Sequence, residues 1–131
     1  MLRRDFASAA TGAILVAGCS IFDDRQARIG WIGFENHRDE ELTVEATIKD
    51  GSDHIFSEEY YVGMYPETPN VVEDDPVTEE GDYVVHVAVG DEQHEVEVME
   101  HLEEDHSCIG ILFVFLDYRQ FDYSVRSMQE C

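Results

Sequence analysis

The chain has a single lysine, Lys49, and only eight basic residues against thirty acidic ones, a formal net charge of −22. A surface so poor in cations repels phosphate backbones, which excludes nucleic acid as a partner. No apolar run approaches the ~20 residues that cross a bilayer as a helix; the small, apolar stretch Ala7–Ala17 is roughly half that length. Repeats at a fixed 20–50-residue period are missing, as are low-complexity linkers, so 131 residues make one domain. No segment carries a helical stripe. Enzyme signatures are missing as well. There is no Gly-x-Ser-x-Gly and no Gly-rich phosphate loop, and Ser52, Ser57, Ser107, Ser124 and Ser127 stand in no triad context. Carboxylate pairs occur throughout, but acids this dense produce them without catalysis. A blue-copper centre needs two histidines beside its cysteine, and no histidine follows Cys108, although Met128 does. The acidic runs Arg38–Glu41, Glu73–Asp75, Glu79–Asp82 and Glu100–Asp105 match no twelve-residue calcium loop and read as solvated carboxylates. A non-enzymatic protein without a cofactor is expected.

What is present begins at the N-terminus. Arg3 and Arg4 are followed by Asp5 and Phe6, then by the apolar stretch, which closes on Val16-Ala17-Gly18-Cys19. This resembles a twin-arginine signal peptide ending in a lipobox. The resemblance implies that residues 1–18 are removed and that Cys19 becomes a diacylglyceryl-modified N-terminus, whose two acyl chains anchor the chain in a lipid bilayer. Cleavage would take away two arginines and Asp5, leaving six basic and 29 acidic residues, a net of −23 over 113 residues. Twin-arginine export, a lipobox and an acidic domain nearly free of lysine together resemble the small lipoproteins of haloarchaea. That likeness implies an extracytoplasmic, membrane-anchored binding or structural module on the outer face of a salt-adapted cell. The alternative is an accessory ligand- or metal-binding subunit of a transporter or electron-transfer system. A pocket lined by Trp31, Tyr60, Tyr61 and Tyr65 would favour ligand binding, and a flat acidic surface a structural role.

Residues 19–27 read as a lipidated tether, and from residue 28 the hydrophobic period is 2. Ile29, Trp31 and Gly33 alternate with Gly30, Ile32 and Phe34. Leu42, Val44, Ala46 and Ile48 alternate with polar partners up to the Asp50-Gly51 turn. Strands are expected at His54–Val62, at a short edge piece Asn70–Glu73, at Tyr83–Val89, and at His94–Met99 after Gly90-Asp91. Pro66 and Pro69 mark the loop before the edge piece. The final pair is Cys108–Leu116, almost wholly apolar, and Phe121–Met128. Seven to eight short strands with frequent turns predict an all-β fold, an immunoglobulin-like two-sheet antiparallel β-sandwich over residues 28–131.

Glu79-Glu80-Gly81-Asp82-Tyr83 resembles the tyrosine corner of such sandwiches, in which a Tyr hydroxyl folds back onto upstream backbone; the bland reading is that Gly81 starts a strand and Tyr83 is core. Val85 stands where antibody domains have a cysteine. With Cys19 taken by lipid, Cys108 and Cys131 form an even pair in an oxidising compartment. A four-residue loop at Tyr118–Phe121 would set Cys108 opposite Cys131, within reach of a disulfide. The rival reading keeps Cys108 as a free thiol beside His106. His101 and His106 are the candidate metal ligands, with His94 and Cys108 nearby, in a spacing that matches no standard site.

Overall fold

The computed structural model describes residues 26–67 and 70–131. The signal-peptide residues Arg3, Arg4 and Phe6, the lipobox cysteine Cys19 and Pro69 lie outside the described residues. Among the described residues eight strands form: β1 (Arg28–Asn36), β2 (Leu42–Asp50), β3 (Asp53–Val62), β4 (Val71–Asp74), β5 (Tyr83–Val89), β6 (Glu92–Glu97), β7 (Cys108–Leu116) and β8 (Gln120–Met128). They build two four-stranded sheets, in the orders β4-β1-β7-β8 and β3-β2-β5-β6. The result is the all-β sandwich that the alternating sequence predicts. Its connectivity has a character of its own. β2 and β3 form a hairpin within one sheet, whereas the immunoglobulin arrangement puts the second and third strands in opposite sheets. β1 runs parallel to β7, while the other named strand pairs run antiparallel.

Alternation decides what is buried. Val44, Ala46 and Ile48 of β2 and Val85 and Val87 of β5 meet Ile32, Phe34, Ile109, Ile111, Phe113 and Phe115 of the facing sheet, all nearly or fully buried. Gly51 and Gly90 sit in the β2–β3 and β5–β6 hairpin turns with positive φ, the conformation glycine enters at least cost.

Local phase differs from the expected one at four places. The first is β1, where the register shifts between Ile29 and Trp31, so Gly30 is an extra residue. The bulge turns Ile29, Ile32 and Phe34 all inward and leaves Trp31 on the outer face. The second is β6, which ends at Glu97; Val98 enters a 3-10 turn, Val98–His101, because the chain must leave this sheet to reach Cys108 in the other. Third, Ala27, expected in the tether, is fully buried and exchanges two backbone hydrogen bonds with Gly81, of 3.0 and 2.9 Å. Fourth, Cys108 is paired with Met128 rather than Cys131, since the turn is Asp117–Arg119 between Leu116 and Gln120, one residue earlier and one shorter than the expected Tyr118–Phe121. Tyr118 and Arg119 both take positive φ there, and Gln120 N donates to Asp117 O, as in a type I′ turn. Cys131 is nevertheless joined to Cys108 in a disulfide, Cα–Cα 5.3 Å, because the residues after β8 curl back. The bond packs on Gly30, where a Cβ would stand 2.8 Å from Cys108 Sγ.

Side-chain pairs close both open sides of the sandwich. On one, the Tyr60 hydroxyl of β3 donates to Glu73 Oε1 of β4 at 2.9 Å; burial and that carboxylate push the phenol's pKa up. On the other, the His94 ring of β6 stacks on Phe121 of β8, with centroids 3.7 Å apart.

Candidate functional site

One end of the sandwich holds a polar cleft of about 480 Å³ between the β1–β2 loop, the β5–β6 turn and the β7–β8 turn. Arg38 lines it, held in place by a second buried polar residue, Asn36. Asn36, the last residue of β1, donates through Nδ2 to Glu40 O at 2.7 Å and Val62 O at 3.2 Å, and its Oδ1 accepts from Arg38 N at 2.8 Å. That bracket aims the Arg38 side chain across the end of the core. Its Nε donates to Leu116 O at 2.8 Å and Nη2 to Gln120 O at 3.0 Å. Nη1 and Nη2 grip the Glu92 carboxylate in a bidentate pair, at 2.6 and 3.0 Å. The guanidinium also lies over the Phe115 ring, 5.7 Å from its centroid.

At the cleft's mouth Arg119 pairs with Asp91. The arginine's hydrogen bond and charge hold the Asp91 carboxyl below its ordinary range, and Arg38 does the same for Glu92. Both carboxylates are therefore ionised near neutral pH. Each is already paired with its arginine, and neither has a proton to donate as a general acid. Nothing in the sequence distinguished Arg38 from the acidic run around it. The available signal was a polar Asn closing an apolar strand two residues earlier.

The residues singled out by sequence do not gather at this cleft. Tyr83 Oη donates to Glu79 O at 2.6 Å, folding back onto upstream backbone, and its ring covers Gly81, where a Cβ would lie 2.6 Å from it. Burial, then the Asp50 and Glu79 charges, raise the Tyr83 hydroxyl. Trp31 lies flat on Gly110 on the outer face of its sheet, so close that a Cβ on Gly110 would fall 2.1 Å from the ring. Tyr60 faces inward toward Glu73, Tyr61 is 76% exposed, and Tyr65 packs on His37 with centroids 4.8 Å apart. The four aromatics are thus spread over separate surfaces and line no common pocket.

The two histidines are held apart as well. His101 meets the Tyr123 ring edge-on, while His106 Nδ1 lies 2.7 Å from Ser127 Oγ, which also accepts from Glu103 N at 3.0 Å. The Ser127 contact pins the loop before β7 to β8. With Cys108 in the disulfide, the free thiol beside His106 is absent. Among the described residues no group of three or more His, Cys, Asp or Glu is placed to hold a metal ion.

No protein-family model, curated protein or solved structure matches the chain.

Proposed function

We propose that this chain is a membrane-anchored extracytoplasmic lipoprotein whose acidic sandwich serves as a non-enzymatic binding or structural module in the envelope of a salt-adapted cell. The observation that carries the reading is the Cys108–Cys131 disulfide, since such bonds persist in oxidising compartments and are rare in reducing ones. It is independent of the N-terminal Arg3-Arg4-Asp5-Phe6 and Val16-Ala17-Gly18-Cys19 patterns, which point to the same compartment. Ala27 enters the fold eight residues after Cys19, so the domain would sit close to the bilayer. Support for a non-enzymatic role comes from the cleft, where hydrogen bonds from Arg119 and Arg38 outweigh burial and hold the Asp91 and Glu92 carboxyls below their ordinary pKa.

The test is Cys19→Ser. The variant is expected to lose detergent-phase partitioning, either staying uncleaved or appearing in the medium. A variant that partitions like the natural chain would overturn the anchor.

A further inference from the structure

Among the described residues the two sheets have four edges, at β3, β4, β6 and β8, and three of them are guarded. β4 is only four residues long. β6 has six residues, of which Glu92, Glu95 and Glu97 are acidic. β3 is bulged, with Ile55 the extra residue opposite Ile48–Lys49, and it carries Asp53, Glu58 and Glu59. Short length, bulges and charge are the means by which natural sheets discourage a further strand. β8 uses none of them. Its nine residues pair one for one with β7 without a shift, include no proline or glycine, and hold one charge of each sign, Asp122 and Arg126. The backbone bonds tell which groups face outward. Met128 O accepts from Ser107 N at 3.0 Å and Gln120 N donates to Asp117 O at 3.2 Å, both on the β7 side. Tyr123 N, of the other parity, has only its neighbour's carboxylate, Asp122 Oδ1, at 2.8 Å. Successive residues of a strand bond to opposite sides, so Phe121, Tyr123, Val125 and Ser127 present their N–H and C=O groups to the open edge.

We infer that β8 pairs edge to edge with β8 of a second copy, antiparallel about a two-fold axis at Ser124, so that the two β4-β1-β7-β8 sheets become one of eight strands. Charge selects both the occupant and the register. An axis at Ser124 sets Asp122 opposite Arg126 of the second copy, and by symmetry Arg126 opposite its Asp122. An axis at Asp122 or at Arg126 would bring like charges together. Parity fits the same register. Asp122, Ser124 and Arg126 then fall on non-hydrogen-bonded pairs, where facing Cα atoms are ~4.5 Å apart and side chains meet most closely. The outward groups of Phe121 and Tyr123 exchange hydrogen bonds with those of Ser127 and Val125 of the second copy, about eight main-chain bonds in all. Phe121, Tyr123 and Val125, which pack on the core but stay partly exposed, gain cover from their counterparts. β6 lies across from β8 through His94 on Phe121, but it turns Gln93, Glu95 and Glu97 to the outer face, away from this edge. A single edge ladder buries less than the ~1,200 Å² of a standard interface, which makes the dimer weak and dependent on concentration. The edge is there whether or not Cys19 carries lipid, so the inference stands apart from the proposed anchor.

Sedimentation of the full-length Cys19→Ser chain reads the association in about 1 M potassium chloride, where a Debye length of ~3 Å screens the long-range repulsion between two chains of net charge −22. A concentration-dependent dimer is expected. Asp122→Arg and Arg126→Asp, both at exposed positions, each turn two attractive cross-strand pairs into two repulsive ones, and each should weaken the dimer about tenfold. The double reversal, Asp122→Arg with Arg126→Asp, keeps the net charge and should restore it. A Cys19→Ser chain that stays monomeric at every concentration, single reversals that dimerise as well as their parent, or a double reversal no better than the singles would overturn the inference. So would monomers whose Phe121, Val125 and Ser127 amides are protected from hydrogen exchange at every concentration, since the edge would then be held by residues 1–25 of the same chain.

Discussion

The guanidinium of Arg38 distributes its donors over three strands: the Glu92 carboxylate on β6 and the carbonyls of Leu116 on β7 and Gln120 on β8. It therefore ties the end of one sheet to the end of the other. Both charged side chains are only 9% exposed, so screening by salt touches the pair little. Arg38→Ala leaves a buried carboxylate without its partner and is expected to cost about 3 kcal/mol or more in denaturant unfolding at high salt. Replacing both residues, Arg38→Met with Glu92→Met, should cost clearly less than Arg38→Ala alone, because no orphaned charge remains. The pH dependence has a definite sign. The folded Glu92 carboxyl lies below its ordinary value of 4.5 through the Arg38 hydrogen bond, so its contribution is complete above about that pH. It is lost as pH falls through the lower folded value. Arg38→Ala should flatten the acid side of the melting curve, and an unchanged acid slope in that variant would contradict the account.

At the scale of elements, the disulfide is the fastening of the β7–β8 hairpin. It closes a separation of 23 residues and holds the three residues that follow β8. Cys131→Ser should keep the sandwich and lower its stability by about 3 kcal/mol, chiefly by freeing the unfolded chain. Denaturant midpoints of the two proteins under oxidising conditions check this, and equal midpoints would refute it. Which elements were legible in the sequence follows a physical rule. β5 and β7 are where period-2 alternation and unbroken apolar runs put them, because burial writes those patterns directly. Register was illegible. The bulge at Gly30 inverts the phase of β1, and one glycine in a Gly-rich strand gives no sign of which residue is extra. The β7–β8 turn places Tyr118 and Arg119 at positive φ, whereas the sequence signal for such a turn is Gly or Asn. The Arg38 clamp was hidden for a different reason: its partners lie 54, 78 and 82 residues away, and an arginine in an acidic run looks like any solvated cation. The disulfide pairing was legible despite the misjudged register, since only two cysteines remained to pair once Cys19 was assigned to lipid.

For the whole molecule, charge is the dominant fact. Thirty acids against eight bases leave most carboxylates without an opposite partner, and their repulsion is expected to loosen the fold when ions are scarce. The thermal midpoint is expected to climb steeply between about 0.01 M and 1 M salt, as the Debye length shrinks from ~30 Å to ~3 Å. A midpoint flat over that range would remove the salt-adapted reading while leaving the fold untouched. The most direct test is the intact mass of the protein extracted from membranes of the cells that make it. The account predicts the mass of residues 19–131 carrying a diacylglyceryl group on Cys19 and lacking the two hydrogens of a Cys108–Cys131 bond. A chain that still begins at Met1, or one whose Cys19 is unmodified, would contradict it.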